Sequence, residues 1–151
     1  MQASPLIPTV PQADLAAYFA RIGDDGPRDP SLETLRRLHL HHVRSVPFEN
    51  LDVLLGNRIS LDPAVIRSKI IDRRRGGYCF EQNSLFRDVL RALGFSVTPL
   101  IARVRWGIPD EVETPLTHMV LKVELDGRPW LADVGFGGVV STAPLALDVE
   151  E

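Results

Sequence analysis

Leu15, Tyr18, Phe19 and Ile22 recur at i, i+3, i+4 and i+7, the spacing of one apolar face of a helix. Gly23 and the stretch Asp24-Asp25-Gly26-Pro27 end that helix, since both glycine and proline interrupt helical backbone. Ser31 is placed to cap the next helix, with Glu33 in its first turn and Leu32, Leu35 and Leu38 on one side. Pro47 closes this segment. Asp62-Pro63 is a helix start, with Ile66 and Ile70 one turn apart. After Gly76-Gly77 the spacing predicts a fourth helix whose core face is Phe86, Val89, Leu90 and Leu93, stopped by Gly94.

From Phe95 the pattern changes to strands. Val97 to Arg105 reads as a strand, weakened by Pro99. Residues 106–117 read as a loop. His118–Leu125 and Arg128–Val134 flank Asp126-Gly127, the strongest hairpin signal in the chain. The predicted fold class is therefore α+β: a helical segment, residues 1–94, followed by an antiparallel β-segment, residues 95–151. Three predicted strands make a thin sheet whose outer edges need cover, and the chain reads as stopping soon after the hairpin, at Asp148-Val149-Glu150-Glu151.

Composition narrows the function classes. Of 151 residues 44% are hydrophobic and 25% charged, which is ordinary for a folded domain and excludes wholesale disorder. Lys+Arg total 17 against Asp+Glu 20, a formal charge of −3. A mildly acidic chain is poorly suited to nucleic acid, which calls for a basic face; the run Arg73-Arg74-Arg75 is too short to change that. No apolar run spans a bilayer, so no membrane partner is expected. The start, Met1-Gln2-Ala3-Ser4-Pro5, lacks the marks of a signal peptide, and the expected location is cytoplasmic. One cysteine allows no internal disulfide and no multi-cysteine metal site. His39, His41 and His42 cluster on a predicted helix but lack a third ligand, so no metal site is expected.

That one cysteine, Cys79, opens the fourth predicted helix after Arg75-Gly76-Gly77-Tyr78. A helix N-terminus offers free N–H groups and partial positive charge, which favour a thiolate and can hold an oxyanion beside it. The alternative is a small buried hydrophobe. The hairpin adds two partners. A two-residue turn pairs Leu125 with Arg128 and, at constant register, His118 with Gly135. Asp133 then becomes a diagonal neighbour of His118 on the same face, about 7–8 Å away at the backbone and within side-chain reach. Gly135 opposite His118 leaves room for the ring. A bulge would break this derivation. Nucleophile, base and orienting carboxylate make a Cys-His-Asp triad; a surface His-Asp pair is the bland alternative.

At Arg75-Gly76-Gly77-Tyr78-Cys79-Phe80-Glu81-Gln82-Asn83 the chain resembles the active-site segment of arylamine N-acetyltransferases. Val46-Pro47-Phe48-Glu49-Asn50-Leu51, Thr117-His118, Asp133-Val134-Gly135-Phe136-Gly137-Gly138 and Tyr18-Phe19-Ala20-Arg21-Ile22 resemble further blocks of that family, in the family's order. The resemblance implies acetyl-CoA as co-substrate and arylamines or hydrazines as acceptors. It implies a ping-pong cycle with Cys79 as nucleophile, His118 as base and Asp133 as orienting group. Thr117, Phe136 and Gly137 match positions that contact coenzyme A, and Phe48 matches a pocket-lining aromatic. Arg75 is expected to pair with Glu49 and lock the loop. The implied fold is cysteine-protease/transglutaminase-like, a helical domain against a β-domain, with the family's later strands and lid domain not matched here. That implies weakened transfer, acyl-enzyme loss to water and self-association through exposed β-edges. The alternatives are a thiol hydrolase or transglutaminase-like acyl transferase, and an inactive fragment that binds coenzyme A or a partner.

Overall fold

The computed structural model describes residues 12–148; Met1–Pro5 and Val149–Glu151, invoked above, lie outside the described residues. Helix α1 (Gln12–Ile22) buries Tyr18, Phe19 and Ile22 and stops at Gly23, whose φ of +68° suits glycine. Helix α2 (Leu32–Ser45) is capped by Ser31, which accepts from the Thr34 amide at 3.2 Å. It ends where Val46 turns extended (φ −114°, ψ 105°) before Pro47, as a residue before proline is driven to do.

Two features here escaped the sequence reading. A four-residue helix α3 (Leu51–Leu54) follows Asn50. Helix α4 (Pro63–Arg67), capped by Asp62 on the Ala64 amide at 2.8 Å, widens into a π-helical turn at Ser68–Asp72. That turn buries Lys69, Ile70 and Ile71 together, and π-turns recur beside functional sites. Helix α5 (Cys79–Ala92) runs to Gly94, at φ +91°. Phe86, Val89 and Leu90 are buried as expected, while Leu93 is only partly covered.

Four antiparallel strands follow in the order β1 (Ser96–Arg103), β2 (Leu116–Leu125), β3 (Arg128–Ala132) and β4 (Leu145–Ala146). The sheet thus gains a short fourth strand beyond the three predicted. The hairpin forms at Asp126-Gly127, both at positive φ (50° and 76°), as a type I′ turn requires. Its register is the expected one from Leu125↔Arg128 to Leu121↔Ala132. Pairing stops there, two residues short of the predicted Val134, and β2 starts at Leu116, inside the predicted loop. Pro99 sits on β1, which among the described residues pairs only with β2; an edge strand tolerates the missing N–H. The core joins Tyr18 and Ile22 of α1, Leu35 and Leu38 of α2, and Ile66 and Ile70 to Phe86 and Leu90 of α5. Leu121 and Val123 complete it from the sheet. No helix among the described residues is long and apolar enough to cross a membrane.

Candidate active site

The extrapolated pairing of His118 with Gly135 does not occur. His118 pairs across β1 with Ala102, and the chain leaves the sheet after Ala132. The reason lies in where the backbone donors go. The Asp133 N–H is taken by His39 Nε2 at 3.3 Å, and the Val134 N–H by Asn83 Oδ1 at 3.1 Å. Side chains of α2 and α5 thus replace β2 as partners and swing residues 133–138 over the start of α5. Gly135 lies against Cys79 rather than opposite His118.

The rerouted segment still brings the three predicted residues together. His118 Nε2 meets Asp133 Oδ2 at 2.6 Å. Cys79 is buried at the first turn of α5, its Sγ 3.8 Å from the Thr117 carbonyl and close enough to His118 to act on its charge. Burial alone would lower the His118 pKa; the Asp133 hydrogen bond and the Cys79 contact override it and raise it from 6.5 to about 9. Burial would likewise raise the Asp133 pKa, but hydrogen bonds from His118, Asn83 and the Gly135 amide hold the carboxyl below its ordinary value. Opposite charges within contact favour both ionised forms. Both shifts favour an imidazolium beside a carboxylate.

Asn83, one turn after Cys79, is the residue whose role the sequence reading missed. Its Nδ2 donates to Asp133 Oδ1 at 2.9 Å and to the Met119 carbonyl at 2.8 Å, while its Oδ1 accepts from Val134. One fully buried amide thus ties α5, β2 and the Asp133 turn. The available signal was the i, i+4 spacing from Cys79, which places both on one helix face.

The remaining predicted residues border this centre. The Phe136 ring stands edge-on to His118 with centroids 5.2 Å apart. Thr117 is exposed beside it. A β-carbon on Gly137 would fall 2.9 Å from the Phe48 ring, so these two are in contact, and Phe48 remains 42% exposed. Phe48 also bridges Gly77 in parallel. Arg75 pairs with Glu49, as expected, and with Asp52 at 3.1 Å. No pattern in the sequence marks buried Lys69, which reaches Glu81 at 2.8 Å and Asp52 at 2.7 Å. Glu81 in turn accepts from the Tyr78 amide at 3.0 Å. This ion cluster fastens the loop that carries Cys79 to the π-turn. His39 and His42 are fully buried, His41 is half-buried, and the described residues hold no group of three or more His, Cys, Asp or Glu able to bind a metal.

Comparison with known proteins decides the lineage. A family model described as N-acetyltransferase matches residues 31–151. The chain belongs to the arylamine N-acetyltransferase family. An arylamine N-acetyltransferase of Escherichia coli is 52% identical over 130 residues, covering 86% of this chain and 46% of that protein. The Salmonella typhimurium enzyme structure superposes with a TM-score of 0.87 at 47% identity, covering 92% of this chain and 50% of that one. A Mycobacterium marinum arylamine N-acetyltransferase solved in complex with CoA gives a TM-score of 0.85 at 43% identity, with 91% and 52% covered. The chain thus spans about half the length of the family members it matches.

Proposed function

We propose that this chain transfers an acetyl group from acetyl-CoA to an arylamine or hydrazine by way of an acetyl-Cys79 intermediate. The observation that carries the proposal is Cys79 at the first turn of α5 beside His118, whose Nε2 is 2.6 Å from Asp133. The Cys79 thiolate attacks the thioester carbonyl, and the start of α5, where Cys79 lies, is the kind of helix N-terminus whose N–H groups can stabilise a developing oxyanion. Coenzyme A leaves and takes the His118 proton, so His118 becomes a neutral base. The amine then attacks the acetyl-cysteine, His118 receives its proton, and the Cys79 thiolate is expelled. Asp133 holds the ring and its charge throughout. Weakly basic aromatic amines and hydrazines suit the second step because they are largely neutral at pH 7. Thr117, Phe136 and Gly137 contact coenzyme A in this reading, and Phe48 lines the acceptor pocket.

The same reading gives two units, 1–94 with the nucleophile and 95–151 with His118 and Asp133, in a cysteine-protease/transglutaminase-like arrangement. It gives a cytoplasmic enzyme. In a polypeptide of these residues alone the acetyl-enzyme is open to water, so hydrolysis of acetyl-CoA competes with transfer. Efficient acetylation of an amine with little hydrolysis would sink that point.

Intact mass after brief incubation with acetyl-CoA, beside a Cys79→Ser control, tests the core of the proposal. An acetyl adduct that maps to Cys79 and is absent from the control is expected. No adduct and no released coenzyme A overturns it.

A further inference from the structure

Two histidines of α2 take no part in the chemistry above, yet both are buried against it. His39 accepts from the Asp133 amide. His42 is fully buried and makes two hydrogen bonds: its Nδ1 lies 2.9 Å from the Tyr18 hydroxyl, and its Nε2 lies 3.2 Å from Gln82 Oε1. Gln82 in turn places its Nε2 2.7 Å from the Gly77 carbonyl and 3.4 Å from the Pro47 carbonyl. Those two carbonyls belong to the two sides of the Phe48↔Gly77 bridge.

Donor and acceptor accounting fixes every hydrogen in this chain of contacts. Carbonyls only accept, so the NH2 end of the Gln82 amide faces Gly77 and Pro47. Its oxygen then faces His42 and can only accept. His42 therefore carries its proton on Nε2, its Nδ1 is bare, and the Tyr18 O–H donates to it. A second proton on His42 would leave the Tyr18 hydrogen without an acceptor inside the core. The groups facing His42 agree: Tyr18 from α1, Gln82 from α5, with His39 and Arg21 the nearby bases that oppose added positive charge.

We propose that His42 is a positioning residue for the acetyl transfer. As its neutral Nε2–H tautomer it sets Gln82, and Gln82 staples the Gly77 peptide, two residues before the nucleophile, to the segment that presents Phe48. This rests on the function proposed above. The consequence is geometric. Without the staple, the backbone bonds of the bridge, Glu49 N–H to the Gly77 carbonyl at 3.1 Å and Gly77 N–H to the Pro47 carbonyl at 3.4 Å, hold the Gly77 peptide with no side-chain support from the core, and small misplacements of a nucleophile are costly.

The test compares His42→Phe, which keeps bulk without polar atoms, with His42→Gln, whose amide can accept from Tyr18 and donate to Gln82. The readout is Cys79 acetylation against acetyl-CoA concentration. His42→Phe is expected to lower the maximal rate about tenfold or more with the half-saturating concentration unchanged, and His42→Gln to recover most of it. A folded His42→Phe acetylating at the wild-type rate, or both variants falling equally, overturns the proposal. If His42→Phe does not fold, 15N NMR of the wild-type imidazole decides: the Nε2–H tautomer at pH 7 supports positioning, and the Nδ1–H tautomer or an imidazolium overturns it. If the wild type takes up no acetyl group, the proposed function fails, while iodoacetamide alkylation of Cys79 across the same variants still reads the positioning.

Discussion

Gly135 packs directly on the backbone of Cys79: a β-carbon built on it falls 2.8 Å from the Cys79 α-carbon, 3.2 Å from its carbonyl oxygen and 3.0 Å from Asn83 Nδ2. Two of those three atoms are backbone at the first turn of a helix and cannot swing aside. Gly135→Ala is expected to destabilise the fold by about 1–3 kcal/mol, the usual range for overpacking, and to slow Cys79 alkylation. Gly137→Ala meets only the half-exposed Phe48 ring, which can turn, so its cost in the same chemical denaturation series should be smaller. Equal costs would mean that the contact with Cys79 is not the constraint.

Stability should peak near pH 6.5, because the buried histidines titrate in opposite senses. Burial lowers His39 from 6.5 to about 4 and His42 to about 3. Between those values and 6.5 the unfolded chain binds protons that the native chain does not, so stability falls as the pH drops through this range. His118 is raised to about 9 against the pull of burial. Its contribution is fully present below 6.5 and is lost as the pH rises through about 9. Urea midpoints measured from pH 4 to 10 check both limbs. His118→Asn should flatten the alkaline limb and leave the acid limb in place; an unchanged alkaline limb would reassign it.

Local signals carried most of the fold into the sequence. Ser31 and Asp62 cap helices because their oxygens take amides that a helix start leaves free. Asp126-Gly127 sets the hairpin register because both residues accept positive φ. What was not legible depends on contacts distant in the chain. The Asp133 and Val134 amides are claimed by His39 and Asn83, some 94 and 51 residues away, and no strand rule foresees a ladder that ends because side chains outbid it. The site survived that error because the rerouted turn still delivers the Asp133 carboxylate to His118. Lys69 was equally silent, since a buried lysine has no pattern of its own and is stable only through carboxylates from two other segments, Glu49 and Asp52 of one and Glu81 of the other.

Asn83 should prove more costly to lose than its size implies. Asn83→Ala leaves the Val134 amide and the Met119 carbonyl without a partner in the core and removes one donor from Asp133. Each buried group left unpaired costs about 1–3 kcal/mol. Asn83→Asp is isosteric but sets a second carboxylate against Asp133, and like charges in contact repel. The expected order of urea midpoints at pH 7 is therefore wild type, then Asn83→Ala, then Asn83→Asp. Lowering the pH should recover part of the loss in Asn83→Asp alone, as its new carboxylate takes up a proton. An aspartate variant as stable as the wild type would show that the amide is not shared in this way.

The outer edge of β1 gives a prediction about behaviour at high concentration. Among the described residues β1 pairs only with β2, and an edge of this kind can add a strand from another molecule. The residues around it are apolar and uncovered: Leu100 is 38% exposed, Ile101 48%, Leu116 56% and Trp106 73%. Pro99 removes one donor from this strand, which shortens any continuous pairing and works against long fibres. The expected result is reversible association, seen as a sedimentation coefficient that rises with protein concentration. Ile101→Lys places a charge on the strand without touching the core and should return the monomer. A wild-type chain that sediments as a monomer at every concentration would show that Pro99 and the twist of the strand already suffice to keep this edge closed.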